Sequence, residues 1–327
     1  MRKILITGAS GFVGGHVVEA VRRRGLEVRC LVRPTSNLNF LRLLAPELVF
    51  GDVTLPGTLA PALEGVDAVV HCAGLTKAPS RSRYFEANED GAANLYNACL
   101  MHKEKILKIV HVSSLAAIGP SLEGVPVTEE TGPHPVSDYG ASKLAGQRIA
   151  EARMADFPIS IVVPPGVYGP RDRDFLVYFK WVARGRVPLI GKQERYLSLI
   201  HVQDLAEAVV ELLVSDRSAG RAFLVDDGGV HTWTGVAGAI GRALNRTFKP
   251  LYLPVGAARS LGMIGDLYAK TTGKAPVINS QKVRELLQSS WTCSSRRICA
   301  DLGFRARYPL ERGIRETLAW YRENGWL

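Results

Sequence analysis

Short runs of aliphatic residues alternate with amphipathic stretches through the first two-thirds of the chain. The runs are rich in valine and isoleucine and predict strands at residues 3–7, 27–32, 48–50, 68–72, 109–113 and 159–163. Because most of these runs are continuously apolar, the strands should be buried on both faces, as parallel strands covered by helices are. The pattern therefore predicts an α/β fold, a doubly wound parallel sheet with helices on both faces.

The helices between the strands have recognisable ends. Residues 13–24 end in three arginines followed by Gly25, which places cations in the last turn and a glycine at the C-cap. Asp204 is followed three residues later by a glutamate, a capping box, so we interpret Asp204 as the cap of a helix reaching residue 214 rather than as a catalytic acid. Residues 309–324 carry an apolar stripe at helical spacing and predict one C-terminal helix.

Composition and charge limit the class of protein. The 327 residues are 46% hydrophobic and 22% charged, an ordinary globular composition, and 41 Lys+Arg against 31 Asp+Glu give a net charge of +10. This positive charge favours an anionic partner, but no nucleic-acid recognition motif accompanies it, so we expect no nucleic-acid binding.

An odd count of five cysteines without a C-x-x-C pair argues against a metal site and for a reducing compartment. A strand begins at residue 3 and no apolar run reaches membrane-spanning length, which predicts a cytoplasmic protein.

The first strand leads into a glycine-rich turn and then into a helix. Glycines in this position let the backbone turn tightly, approach a pyrophosphate closely and aim helix N–H groups at it, as in a Rossmann sheet that binds a dinucleotide. Their spacing is G-x-x-G-x-x-G. The predicted cofactor-binding residues of this turn are Gly8, Ser10, Gly11, Phe12, Val13 and Gly14.

The residue that ends the second strand decides between the two nicotinamide cofactors. An acid there accepts the ribose hydroxyls of NAD(H), whereas this chain has Arg33, which can pair with a 2′-phosphate. We therefore predict NADP(H), with NAD(H) as the alternative. At the end of the third strand, Asp52 either contacts the adenine or caps a turn, with Val53 beside it.

A serine, a tyrosine and a lysine form the candidate chemical group. Tyr139 and Lys143 are spaced i, i+4, which places the phenol and the ammonium on one helix face. A tyrosine needs a nearby cation to exchange protons at neutral pH, and Lys143 supplies that field. Ser113 and Ser114 end a predicted strand, and ligands collect at the carboxyl ends of parallel strands.

With these motifs the sequence resembles the extended short-chain dehydrogenase/reductases, the NAD(P)-dependent epimerase/dehydratase family. Order and spacing agree over about the first 225 residues. The matching segments are residues 7–14, 67–74, 88–95, 113–119, 139–143, 167–171 and 199–204.

The resemblance implies roles for the matching residues. Tyr139 would protonate a carbonyl oxygen or, in reverse, act as the base; Lys143 would lower the Tyr139 pKa and bind the nicotinamide ribose; Ser114 would hold the reacting oxygen. Further cofactor contacts are implied for His71, Ala73, Gly74, Asn88, Pro165 and Val167, although for His71 we favour a hydrogen-bonded strand histidine over any role in proton transfer.

The resemblance also implies a division of the chain. The dinucleotide-binding domain would comprise residues 1–170 and about 198–226, and a smaller, interleaved substrate lobe about 171–197 and 227–327. After residue 170 the chain becomes less regular, and no low-complexity linker separates the parts.

Departures from the family pattern narrow the reaction. Leu115 and Ala116 stand where dehydratases have two acids, and Gly166 and Leu197 stand where sugar-nucleotide enzymes hold a diphosphate, although Arg195 can substitute. The sequence is therefore nearest the dihydroflavonol reductase and 3β-hydroxysteroid dehydrogenase branch.

The expected function is an NADP(H)-dependent oxidoreductase that interconverts a ketone and a secondary alcohol. A nucleotide-sugar epimerase with tightly bound NAD(P) is the alternative, and a non-catalytic dinucleotide-binding regulator ranks third.

The expected partner is a small-molecule substrate, and the sequence is also compatible with a homodimer. Residues 255–272 carry apolar side chains on one helical face with Arg259 and Lys270 nearby, a pattern compatible with weak contact to an anionic membrane. Of the two interpretations of residues 255–272, membrane contact and a helix packed on the protein surface, we favour the packed helix.

Overall fold

A seven-stranded parallel sheet lies at the centre of the computed structural model, which describes residues 1–122 and 124–327. The order of the strands is β11-β6-β5-β4-β1-β2-β3, and every neighbouring pair is parallel. Its strands are β1 (Lys3–Thr7), β2 (Glu27–Val32), β3 (Glu47–Phe50), β4 (Ala68–His71), β5 (Lys108–Val112), β6 (Ile159–Val163) and β11 (Arg221–Leu224). The predicted doubly wound α/β fold is confirmed, and all six predicted strands are present within one residue of their expected ends.

Fourteen α-helices are present in the described residues. They are α1 (Phe12–Arg23), α2 (Asn39–Leu44), α3 (Ala60–Leu63), α4 (Arg81–Phe85), α5 (Gly91–Leu100), α6 (Leu115–Ile118), α7 (Asp138–Ala152), α8 (Arg173–Ala183), α9 (Val202–Val214), α10 (Trp233–Leu244), α11 (Val255–Thr272), α12 (Ser280–Leu287), α13 (Arg296–Leu302) and α14 (Leu310–Glu323). A π-helical turn, Glu86–Asp90, joins α4 to α5.

The sheet is buried on both faces because alternate strand residues enter two separate cores. Ile4 and Val70 pack with α1 and α9 on one face. Leu5 and Val69 pack with α5 and α7 on the other. A strand that contributes to two cores must be apolar at nearly every position, which is why these strands read as continuous hydrophobic runs.

Smaller sheets and a third core form the rest of the molecule. The remaining strands are β7 (Gly166–Tyr168), β8 (Arg186–Ile190), β9 (Tyr196–Leu197), β10 (Leu199–His201), β12 (His231–Thr232), β13 (Lys249–Leu253) and β14 (Ser290–Trp291). They pair as β10-β7, β12-β9-β14 and β13-β8. The third core joins α8, α10 and α14 through residues such as Phe179, Ile240 and Leu318. The two-lobe division of the chain stays a prediction; Ile298 of α13 packs into the core beneath α1.

The ends of two helices can be compared with the caps predicted from the sequence. Gly25 follows α1 with a φ of +74°, the left-handed geometry expected after a helix. Asp204, in contrast, does not cap its helix, because α9 begins two residues earlier at Val202 with His201 at the N-cap. The Asp204 carboxylate instead accepts the backbone N–H groups of Arg307 and Tyr308, both at 2.9 Å, so it holds a distant loop.

No helix in the described part of the chain combines the length and the apolar character needed to cross a bilayer. The five cysteines are free thiols.

Replacement of Asp204 tests this long-range contact. Asp204→Ala leaves two backbone N–H groups without their acceptor and should lower the free energy of unfolding by about 1–3 kcal/mol in urea titrations. Glu316→Ala removes an exposed acid of α14 and serves as the matched control. Equal stability of the two variants would contradict a holding role for Asp204.

Candidate active site

The glycine turn at the end of β1 forms a cradle that only glycines allow. Gly8 has a φ of +69°, and a Cβ there would lie 2.6 Å from the backbone nitrogen of Ala73. A Cβ at Gly14 would collide with the Gly8 carbonyl. The Gly11 N–H donates to the Gly8 carbonyl oxygen at 3.0 Å, which closes the turn. The backbone is therefore drawn tightly together where the first helix begins.

The same turn leaves the N-terminus of α1 available to an anion. Gly11 is the N-cap and provides no side chain to cap the first N–H groups of the helix. Ser10 and Gly11 are exposed, and Phe12 and Val13 are partly exposed. Unpaired N–H groups with the positive end of the helix dipole suit a pyrophosphate, so these residues fit a dinucleotide.

His71, at the end of β4, is a hydrogen-bonded core residue. Its Nδ1 lies 2.8 Å from the Thr7 hydroxyl, which also accepts the Ala73 N–H at 3.2 Å. Burial, with a smaller contribution from the Lys143 charge, lowers the pKa of His71 to about 3. The imidazole is therefore neutral at pH 7, and its hydrogen bond fits the strand histidine that the sequence favoured.

Asn88 joins the loop after β4 to the helix that carries Tyr139. Its Oδ1 accepts the Leu75 N–H at 2.7 Å, and its Nδ2 donates to the Ser142 hydroxyl at 2.8 Å. Ser142 in turn donates to the Tyr139 carbonyl at 2.8 Å. A Cβ at Gly74 would lie 2.7 Å from the Asn88 Oδ1, so the glycine permits this approach. In this structure Asn88 positions other groups, and its predicted contact with the cofactor stays a prediction.

Ser114 and Tyr139 come together where β5 ends and α7 begins. Ser137 caps α7, accepting the Gly140 N–H at 3.1 Å, and a Cβ at Gly140 would collide with the Ala116 carbonyl. This close packing brings the Ser114 hydroxyl into hydrogen-bonding reach of the Tyr139 side chain.

The two serines at the end of β5 face different partners. The Ser113 hydroxyl donates to Gln147 at 2.6 Å, on the third turn of α7 and away from the phenol. Ser114 also accepts the Ala116 N–H at 3.2 Å as the cap of α6. Of the two, only Ser114 lies where a reacting oxygen next to Tyr139 can be bound.

Lys143 lies one helical turn beyond Tyr139, and its ammonium is buried. Nζ donates to the carbonyl oxygen of Val112, the last residue of β5, at 2.7 Å. Burial lowers the pKa of Lys143 to about 8. The lysine therefore ties α7 to the end of β5 and retains its proton at neutral pH.

The pKa of Tyr139 is set mainly by its own burial. Burial raises this pKa to about 12, and the hydrogen bond with Ser114 acts in the opposite direction. The lowering of this pKa by Lys143 that the resemblance implies is not seen: the Tyr139 pKa is raised, and the Lys143 ammonium donates to the Val112 carbonyl. The phenol is therefore protonated at neutral pH.

Arg33 and Asp52 lie at the far end of the cradle. Arg33 is exposed just after β2, its N–H donates to the Ser36 hydroxyl at 3.1 Å, and no carboxylate of the described residues pairs with its guanidinium. Asp52 accepts the N–H and the hydroxyl of Thr54 at 2.9 and 3.0 Å, so it caps a turn, one of its two sequence interpretations. Val53 is buried, and its carbonyl accepts a hydrogen bond from Asn94 at 3.0 Å.

Pro165 and Val167 follow β6 at the same edge of the sheet. Pro165 is buried, and Val167 lies in β7 opposite Ile200 of β10. The preceding Pro164 carbonyl accepts the Leu115 N–H at 2.8 Å, which fixes this segment beside the Ser114 helix.

Sequence reasoning assigned no role to Arg171, which links three segments around the glycine turn. Its φ is +71°, and its guanidinium lies 3.3 Å above the Phe40 ring, against Gly15. Beside it, His16 Nε2 makes a hydrogen bond of 2.9 Å with the Pro170 carbonyl. The only signal in the sequence was the motif at residues 167–171, which does not reveal its contacts.

A second missed contact lies directly before Tyr139. Ser137 donates to Glu285 at 2.6 Å, and the Asp138 N–H donates to Gln281 at 2.5 Å, both on α12. These partners are nearly 150 residues away in the chain, and no local pattern indicates them.

Comparison with known proteins agrees with this geometry. The model of the NAD dependent epimerase/dehydratase family matches residues 4–225. A ceramide reductase of Caulobacter vibrioides is 33% identical, over 99% of this chain and 96% of the relative. The N-acetyl-alpha-D-glucosaminyl-diphospho-ditrans,octacis-undecaprenol 4-epimerase of Escherichia coli O157:H7 is 26% identical, over 97% and 94%. The UDP-glucose 4-epimerase of Thermus thermophilus, solved with NAD, shares the fold with a TM-score of 0.79 at 24% identity, over 98% and 99% of the chains.

The buried ammonium of Lys143 should cost stability. The folded protein releases this proton near pH 8 and the unfolded chain near 10.5, so stability should rise with pH between those values. Lys143→Met removes the burial cost but loses the bond to Val112. At pH 7 it should raise the free energy of unfolding by about 1–3 kcal/mol, an advantage that fades by about pH 10.5.

Urea unfolding at pH 7 and pH 10 measures this difference. Lys105→Met, at an exposed position, is the control and should show no such change with pH. A Lys143→Met protein less stable than the parent at pH 7 would show that the hydrogen bond outweighs the burial.

Proposed function

This chain belongs to the NAD-dependent epimerase/dehydratase family, and we propose that it is an NADP(H)-dependent reductase acting on a ketone with a large apolar part. The reverse reaction would oxidise the corresponding secondary alcohol. The observation that carries the proposal is the convergence of Ser114 and Tyr139 at the carboxyl edge of the sheet, with Lys143 tied to the same strand end.

The residues present fit a dinucleotide. The glycine turn is a cradle that side chains would fill, and the N-terminus of α1 is open to a pyrophosphate. When bound, the cofactor supplies or accepts the hydride. The turn residues would bind its phosphates, and Lys143, whose Nζ lies near Gly74, would hold the ribose next to the nicotinamide.

The chain's own groups move the proton. The Ser114 hydroxyl would donate to the carbonyl oxygen of the ketone and hold it against the Tyr139 phenol. As the hydride reaches the carbonyl carbon, Tyr139 would give its proton to that oxygen, and the Lys143 ammonium one turn away would stabilise the phenolate that remains. In the oxidative direction the same phenolate would accept the proton of the alcohol.

The lining of the second lobe supports an apolar substrate. Leu197, at the position where related sugar-nucleotide enzymes have an arginine, is buried in the third core. Arg195, the candidate substitute, donates to the carbonyls of Ile190 and Gln193 at 2.5 and 3.1 Å, which ties it to its own loop. One relative that aligns with 99% of this chain, at 33% identity, is named a ceramide reductase, which favours a lipid-like ketone.

A nucleotide-sugar epimerase is the second candidate, because epimerases are among the relatives and use the same fold. The epimerase hypothesis predicts that the purified protein retains nicotinamide absorbance and binds UDP or dTDP.

The third hypothesis, a non-catalytic dinucleotide-binding regulator, is disfavoured by the presence of both Tyr139 and Lys143. A thermal-shift and turnover panel of lipid ketones, steroids, flavonoids and nucleotide sugars separates these functions and tests the proposed reductase branch.

Tyr139→Phe tests the mechanism. The phenylalanine ring fills the same space without a transferable proton, so NADPH-dependent turnover of whichever ketone is reduced should fall about 10²–10⁴-fold. NADPH binding, measured by fluorescence titration, should stay unchanged. A variant that retains full turnover would overturn the assignment of Tyr139 as the proton donor.

Arg33→Ala tests the preference for NADP(H). Loss of a charge-assisted contact with the 2′-phosphate should weaken NADPH binding about 10–100-fold and leave NADH binding unchanged. Lys105→Ala, which removes one exposed charge in the first lobe, is the control. Equal affinity of the parent protein for NADH and NADPH would instead favour the epimerase.

A further inference from the structure

Helix α11 packs on its neighbours with its smallest residues. Ala258, Gly262 and Gly265 are the buried positions of this 18-residue helix. A Cβ at Gly262 would lie 2.9 Å from the Ser280 Cα, and one at Gly265 would collide with the Ile278 carbonyl. The inner face of α11 therefore lies directly on the backbone that leads into α12 and has no room for large side chains.

The large apolar side chains of α11 point to solvent instead. We call this set the outer face of α11, and its members are Leu261, Met263, Ile264, Leu267 and Tyr268. Met263, Ile264 and Leu267 are each at least 60% exposed. A helix normally turns its large apolar residues inward, so this reversed distribution marks a surface that contacts another phase or molecule.

Positive charge borders the outer face. At 100° per residue, Arg259 and Lys270 lie on the flank next to Met263, and Lys274 follows the helix end. None of the three cations lies within ion-pair distance of a carboxylate in the described part of the chain. Asp266, the one acid of the helix, accepts the Ser280 N–H at 3.3 Å toward the inner side. Arg259 and Lys270 are exposed on this flank, whereas the partly buried Asp266 beside them binds the segment that leads into α12.

We propose that the outer face of α11 docks the protein on the surface of an anionic lipid bilayer. The apolar side chains would enter the boundary between headgroups and acyl chains, and Arg259, Lys270 and Lys274 would lie at the level of the anionic headgroups. A second copy of the chain fits the face less well, because a two-fold contact through it would bring the same unpaired cations toward each other. The net charge of +10 favours the anionic surface further.

The docking face lies two helices from the reacting phenol. Gly262 and Gly265 of α11 contact the segment that starts α12, and Gln281 of α12 accepts the N–H of Asp138, the residue before Tyr139. Docking would therefore leave α11 and α12 between the bilayer and the start of the helix that carries Tyr139. The delivery of a lipid substrate rests on the proposed function, whereas the docking itself does not.

Co-sedimentation with vesicles tests the docking in the absence of substrate and cofactor. At low salt the parent protein should bind vesicles of phosphatidylcholine with phosphatidylglycerol, bind phosphatidylcholine alone several-fold less, and lose binding at high salt. Ile264→Asp/Leu267→Asp should lower the bound fraction about tenfold or more. Met101→Asp, at an 83% exposed methionine after α5, is the control for a new surface acid and should bind normally.

A charge reversal separates a local contact from net charge. Lys270→Glu and Lys105→Glu change the net charge equally, but only Lys270→Glu should weaken binding, by several-fold. Thermal unfolding and NADPH titration of each variant verify the fold.

Three outcomes would overturn the docking proposal. They are a parent protein that does not bind anionic vesicles at low salt, equal loss of binding in both charge reversals, and a double aspartate variant that turns a dimer into a monomer while vesicle binding is absent. A protein that docks but reduces no ketone would instead overturn the proposed function alone.

Discussion

The whole molecule depends on a parallel sheet that is buried on both faces. Backbone hydrogen bonds join all seven strands, and alternate side chains enter the cores under α1 and α9 or under α5 and α7. Helices cover both faces, so polar groups that must remain accessible collect where the strands end. The site is therefore an edge, formed by the segments that follow β1, β2, β4, β5 and β6.

At this edge, the burial of a charged side chain in the candidate site lowers the stability of the fold. The Lys143 ammonium is buried against the Val112 carbonyl, and burial lowers its pKa to about 8. The candidate site also depends on supporting hydrogen bonds: Asn88 binds Ser142, Ser142 donates to the Tyr139 carbonyl, and Ser113 donates to Gln147. A rigid constellation of this kind is what proton transfer between fixed groups requires.

Helices from the C-terminal part of the chain contact the candidate site through residues that are distant in sequence. Helix α12 binds the start of α7 through Gln281 and Glu285, next to Tyr139. Helix α11 then packs on α12 through glycines, which frees its large apolar side chains for the outside. The same arrangement thus links an active-site helix to an exposed apolar and cationic surface.

The sequence by itself determined the sheet, the glycine turn and the placement of Tyr139 and Lys143 one turn apart on the same helix. These features follow from local periods, since buried strands are continuously apolar and residues four apart share a helix face. The sequence also indicated the family through the order of its motifs.

Only the tertiary structure decided which partner each polar group has. Asp204 has the local signature of a helix cap, but α9 already begins at Val202, so Asp204 lies inside its first turn. Its carboxylate instead holds the backbone of Arg307 and Tyr308, about a hundred residues away. The stacking of Arg171 on Phe40 and the outward face of α11 depend likewise on contacts between distant segments. A local pattern states which side of an element is apolar, and packing against the rest of the chain decides whether that side is buried.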